Sequence, residues 1–216
     1  ELVGSKGDTP LIKVNTSLSN SNEAFNLKAK FISLELLLAL LDKPGSVFTS
    51  HKEFTKIVKD ELMEGLLKNC VSEDINLFSL SIALFFKIWN HFREYLKQQI
   101  SVFVETVFLK ILDSGNSTFN HKWVVLDQFY KQAGTPKFFV EMFINYDGDM
   151  DEKDLLNRAV ISLSKIAMGK YAKPEHTLSP QQEYMLRSRA LEIVTMMMRS
   201  ILLFTQDQNG INLNRF

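Results

Sequence analysis

The residues best placed to do chemistry in this chain are acidic and crowded. Asp147, Asp149, Asp151, Glu152 and Asp154 fall within eight positions of the stretch FINYDGDMDEKDLLNR, Phe143 to Arg158. Carboxylates at such steps suit a hard cation, an acid–base pair, or the start of a helix. The remaining residues have to choose among the three.

A calcium loop needs a Gly at its sixth position and a bidentate Glu at its twelfth. Counted from Asp147, Asp149 and Asp151 stand at the third and fifth positions, but the sixth is Glu152 and the twelfth is the cation Arg158. Zinc ligand spacing is absent too: His51, His91, His121 and His176 are scattered, and Cys70 is the single cysteine. No metal and no cofactor are expected. A catalytic pair needs carboxylates in a cleft with perturbed pKa values. Here they crowd an expected helix N-terminus, where water and the macrodipole favour the charged form. The chain carries no nucleophile elbow, phosphate-binding glycine loop or dinucleotide fingerprint, so no catalytic residue is expected. The helix-start reading makes Asp149 or Asp151 the cap of the following helix, with Asp154 in its first turn. It does not explain Asn145-Tyr146 just before, a pair suited to hydrogen bonding from an inter-helix loop to a neighbouring element.

Composition sets the outer bounds. The chain has 216 residues, 45% of them hydrophobic, with 25 Lys plus Arg against 25 Asp plus Glu. That is enough for one folded domain or a short helical array, with no global pull towards nucleic acid. A lone thiol forms no internal disulfide, so Cys70 reads as a small packed residue and a cytosolic setting is expected. Asn15 and Asn116 match the N-x-[ST] glycosylation pattern, which arises often by chance. The longest apolar run, Ile75 to Trp89, is shorter than a spanning helix and contains Lys87. No signal peptide opens the chain, and the lack of an initial Met suggests a piece of a longer protein.

These residues must be positioned by helices. Residues 1–25, rich in Ser, Asn, Thr and Gly, read as a flexible N-terminal arm, and 207–216 as a C-terminal tail. Apolar periodicity predicts eight helices between them. The first covers about 26–42 and ends at Pro44-Gly45. The second starts near Ser50, with Phe54, Ile57, Val58, Leu62 and Leu66 inward and Lys52, Lys56, Lys59 and Lys68 outward. The third, about 72–91 with Ser72 as cap, is apolar nearly all round and should be covered on most sides. The fourth runs to about Leu112, the fifth spans about 120–132, and the sixth about 137–144. The seventh follows the acidic cluster to about Tyr171, closed by Lys173-Pro174. The eighth opens at Ser179-Pro180 and reaches about Phe204; its Met196–Met198 cluster reads as core or as a soft contact surface. No stretch alternates like a strand. Odd-numbered helices start near 27, 73 and 119, a spacing within that of HEAT and armadillo arrays. The expected fold is therefore all-α, an armadillo/HEAT-like stack of antiparallel helix pairs, with an irregular helical bundle as the alternative.

The stretch INYDGDMDEKDLLNR resembles the HUS box, the Asn-Tyr/Phe-Asp-Cys-Asp motif upstream of the exchange domain in the large Golgi Arf guanine-nucleotide exchange factors. The match is Asn145, Tyr146, Asp147 and Asp149, with Gly148 where the family usually has Cys. KFISLELLLALL, HKWVVLDQF and DLLNRAVISLSKIAMGK are similar too, so the resemblance covers nearly everything after residue 26. It is nearest to the trans-Golgi, brefeldin-inhibited branch. The resemblance implies a helical regulatory domain that does not itself perform exchange. Its implied partners are neighbouring domains of the parent protein, the dimerisation (DCB) and Sec-seven domains, and small GTPases of the Arf or Rab type. Its implied setting is cytoplasmic, peripheral on trans-Golgi membranes. Asn145, Tyr146, Asp147, Gly148 and Asp149 would then be interaction residues, with Gly148 loosening the loop. A generic helical adaptor for a peptide or small GTPase is the alternative.

Overall fold

In the computed structural model, residues 12–171 and 178–208 are described, leaving Lys173-Pro174 and the tail beyond 208 outside. Every regular element among them is helical. The order is α1 (Ile12–Asp42), α2 (Ser46–Ser50), α3 (Lys52–Ile57), α4 (Met63–Asn69), α5 (Ile75–Phe92), α6 (Lys97–Phe103), α7 (Lys110–Asp113), α8 (Phe119–Ala133), α9 (Pro136–Met142), α10 (Leu155–Ala167) and α11 (Pro180–Gln208). Helix α1 extends upstream of the expected start near 26. Three π-helical turns, Val58–Leu62, Val104–Leu109 and Phe143–Asp147, join or prolong these helices. Each lies in the second member of a helix pair, so the internal repeat expected from helix spacing recurs in backbone irregularities.

Helix pairs stack as expected. Helix α1 packs on α5, α5 on α8, and α8 on α11, while α10 packs on α7, on the π turn Val104–Leu109 and on α11. Helix α5 fills the centre: Leu77, Phe78, Ile82, Leu84, Phe85, Phe86, Ile88 and Phe92 are all buried. Phenylalanines knit the neighbours to it. The Phe85 and Phe103 rings stack at 3.9 Å, and Phe86 and Phe108 stack at 5.3 Å. Phe108 meets Phe129 edge-on at 5.2 Å, and Trp89 meets Phe138 at 4.9 Å. Such pairs add roughly 0.5–1.5 kcal/mol each beyond their buried area.

Caps differ from expectation in places. Asp74, not Ser72, caps α5, accepting from the N–H groups of Asn76 and Leu77, while Ser72 accepts from Asp74 itself. Ser179 does cap α11, in a reciprocal box with Gln182. Phe54 and Ile57 are exposed rather than inward. The buried face steps from Val58 to Met63 to Leu66, and the five-residue first step is the π turn, which breaks the phase a 3.6-residue period assumes.

Candidate functional site

Helix α9 begins at Pro136, whose fixed φ suits a first helical position. Phe138, Phe139 and Met142 are buried, anchoring one face. The helix does not stop before Asn145-Tyr146 as a loop reading requires. It runs on through the π turn, closed by Gly148 N–H donating to the Phe143 carbonyl at 2.8 Å. The extra residue in that turn divides the motif: Tyr146 is buried and Asn145 is exposed.

Tyr146 reaches into the core and donates its hydroxyl proton to the Lys97 carbonyl oxygen at 3.1 Å, at the start of α6. Burial pushes its phenol well above the usual tyrosine range. Asp147 turns the other way. Its two carboxylate oxygens accept from Leu156 and Asn157 N–H, each at 2.8 Å. It therefore caps α10 from outside, while Asp154, at the cap position, makes no side-chain cap bond. Neither Asp149 nor Asp151 is the cap, which corrects the expectation. Burial raises the Asp147 pKa, and the two N–H donors oppose that rise.

Asp149 is spent on Lys97, with Nζ to Oδ2 at 2.7 Å, and Glu152 approaches the same ammonium at 3.5 Å. The Lys97 hydrogen bond holds Asp149 below the usual carboxylate range. Behind this turn, Glu105 in the second π turn receives both Lys153 and Arg158, the latter at 2.5 Å. Those two donors, Lys153 first, lower its pKa against a partial burial that raises it. Carboxylates partnered in this way stand as structural ties across α6, α9 and α10. Among the described residues, no group of His, Cys, Asp and Glu is arranged to hold a metal. No helix among them is long and apolar enough to cross a membrane.

Gly148 has φ −83°, ordinary right-handed backbone, so glycine is not there for conformational freedom. A Cβ would meet the Ile144 carbonyl oxygen at 3.2 Å. A Cys at this position would need that carbonyl to give by a few tenths of an ångström.

Asn145 donates from Nδ2 to the Glu141 carbonyl at 2.8 Å, one helical turn back. Its side chain lines a cavity of about 280 Å³ with Trp89, Arg93, Lys97, Glu141 and Tyr146. Arg93 and Glu141 pair across it at 2.8 Å. The cavity lies where the end of α5, the start of α6 and the end of α9 converge. Arg93, Lys97 and Glu141 were not foreseen, since their partners lie about fifty positions away and leave no local spacing signal.

Lys122 was missed for a different reason. Its side chain is fully buried and its ammonium donates to the carbonyls of Ile111, Leu112 and Ser114 at 2.7–2.8 Å. It satisfies the free carbonyls at the end of α7. Burial pushes it down to about 8, opposed by nearby Asp113. Its position in the series Lys122, Leu126, Phe129, Ala133, all on one buried stripe, was a readable signal. Cys70 behaves as expected of a packed thiol, with burial pushing it up to about 12.

Residues 9–155 match the family model described as Mon2/Sec7/BIG1-like, HUS domain. The chain belongs to that family. It is 34% identical over 186 residues to brefeldin A-inhibited guanine nucleotide-exchange protein 1 of Rattus norvegicus, and 33% identical over the same length to its Homo sapiens counterpart. Each alignment covers 86% of this chain and 10% of the relative. Protein 4 of that name from Arabidopsis thaliana is 29% identical over 198 residues, 91% of this chain and 12% of that protein. The chain thus spans about a tenth of the curated relatives it matches. The matched region includes Asn145–Asp149, which lie in and just after the π turn Phe143–Asp147 that prolongs α9.

Proposed function

We propose that this HUS domain is a non-catalytic regulatory and interaction module of an Arf guanine-nucleotide exchange factor acting in Golgi vesicle traffic. The working unit is the helical stack from α1 to α11. One observation carries the reading: Asn145 stands exposed at the mouth of a cavity, while Tyr146, Asp147 and Asp149 are engaged in fixing the turn that displays it. A motif built this way is rigid and carries one outward polar group, which suits docking and supplies no nucleophile or acid–base pair. Its partners are neighbouring domains of the parent protein, the DCB and Sec-seven domains, with small GTPases of the Arf or Rab type as further candidates. The parent acts in the cytoplasm, peripherally on trans-Golgi membranes.

The test is binding of this chain to those neighbouring domains supplied separately, by calorimetry. Asn145→Ala should leave the thermal unfolding midpoint unchanged and weaken binding at least about tenfold, some 1.4 kcal/mol. Unchanged affinity with unchanged folding would refute the docking role of the box.

A further inference from the structure

We propose that the cavity beside Asn145 takes the carboxylate of a partner's Asp or Glu side chain, gripped by the Arg93 guanidinium. The proposal rests on the docking reading above and names the chemistry of what docks. Glu141 holds both gripping groups in place. Its oxygen Oε2 meets Arg93 Nη1 at 2.8 Å, and its backbone carbonyl accepts from Asn145 Nδ2 at 2.8 Å. Trp89 and Met142, both buried, supply the apolar part of the lining.

The hydrogen-bonding capacity left unspent defines the ligand. A guanidinium carries five N–H donors in a flat fork. Among the described residues Glu141 is the only ionic partner of Arg93, and it is reached through Nη1 alone. The Nε and Nη2 donors are therefore free, as is the second N–H of the Asn145 amide. Glu141 has nothing further to offer, because its other oxygen faces Lys137 at 3.3 Å. That trio sets two cations against one carboxylate and is net positive. Lys97, the other cation lining the cavity, is covered by Asp149 and Glu152. The second trio sets one cation against two carboxylates and is net negative. The cavity is thus polarised, with its unspent donors on the Arg93 side. The Arg93 side chain is 37% exposed, open to a ligand yet partly removed from water. A carboxylate matches the guanidinium fork and can accept two parallel bonds from it. Glu94, exposed and on the same lining, opposes an incoming anion, but solvent screens it, so it weakens the site without closing it.

Calorimetry of this chain against the DCB and Sec-seven domains, supplied separately, tests the assignment. Arg93→Gln should raise the dissociation constant about tenfold or more. Arg93→Lys keeps a cation for Glu141 but loses the fork, so it should lose most of the same affinity with its urea midpoint unchanged. Glu94→Gln should tighten binding about two- to fivefold, the scale of one screened charge. Weaker binding by Asn145→Ala with full affinity in both Arg93 variants would overturn the carboxylate and leave the docking reading standing. Full affinity in all three, or no binding of either domain by the original chain, would remove both. Tighter binding by Arg93→Gln and weaker binding by Glu94→Gln would mean that a cationic side chain enters the cavity, which also overturns the proposal.

Discussion

Asp147 and Leu156 are nine residues apart in sequence and 2.8 Å apart in space, carboxylate oxygen to backbone N–H, with Asn157 held equally close by the other oxygen. The last turn of one helix therefore closes the first turn of the next. The acidic segment between them is a folded connection whose two ends are tied together.

That tie predicts a loss of stability on cutting it. Asp147→Ala should cost about 1–2 kcal/mol, the upper range for a lost N-cap, read as a lowered midpoint in urea with an unchanged slope. Asp147→Asn, which keeps one carbonyl acceptor, should cost less. A midpoint equal to the original would mean that α10 does not depend on this carboxylate.

Glu105 predicts a pH dependence. Its folded pKa is lowered by Lys153 and then by Arg158, so the stability it contributes is present above its unfolded value near 4.5 and is lost as pH falls through the folded one. Against Glu105→Gln, the original chain should be more stable at pH 7 by roughly 0.5–1 kcal/mol, the scale for solvent-screened pairs. The gap should close on acidification below about pH 4. A gap that holds constant to low pH would place the effect in packing instead of charge.

Lys122 should be unusually intolerant for a lysine. Lys122→Met keeps the buried stem and removes the ammonium, leaving the carbonyls of Ile111, Leu112 and Ser114 without it. A loss of about 2–4 kcal/mol is expected, the scale for unsatisfied buried groups around a removed charge. Chemical denaturation of the two proteins measures it. A neutral outcome would mean that water satisfies those carbonyls.

Most of the fold could be read from apolar periodicity because helices bury one stripe regardless of what covers it. Helix α5 is the plainest case: residues apolar nearly all round forecast a helix buried on most sides, and its neighbours do enclose it. The failures share a cause. The π turns shift the phase by one residue, so Phe54 and Ile57 were placed inward and Asn145-Tyr146 in a loop. Local spacing points to Asp149 or Asp151 as the cap of α10, but Asp147 reaches that helix through a folded connection. The motif could be located by resemblance, yet its division into a buried Tyr146, a capping Asp147 and an exposed Asn145 depends on that extra residue, which no local propensity marks.

The most direct test separates the displayed residue from those that hold it. Nucleotide exchange on Arf and membrane recruitment would be measured for the intact parent protein with Asn145→Ala, beside the original. The account predicts a folded protein whose recruitment or exchange rate shifts several-fold, on the scale of coupling between sites. Identical rates and recruitment, in a protein equally well folded, would contradict it.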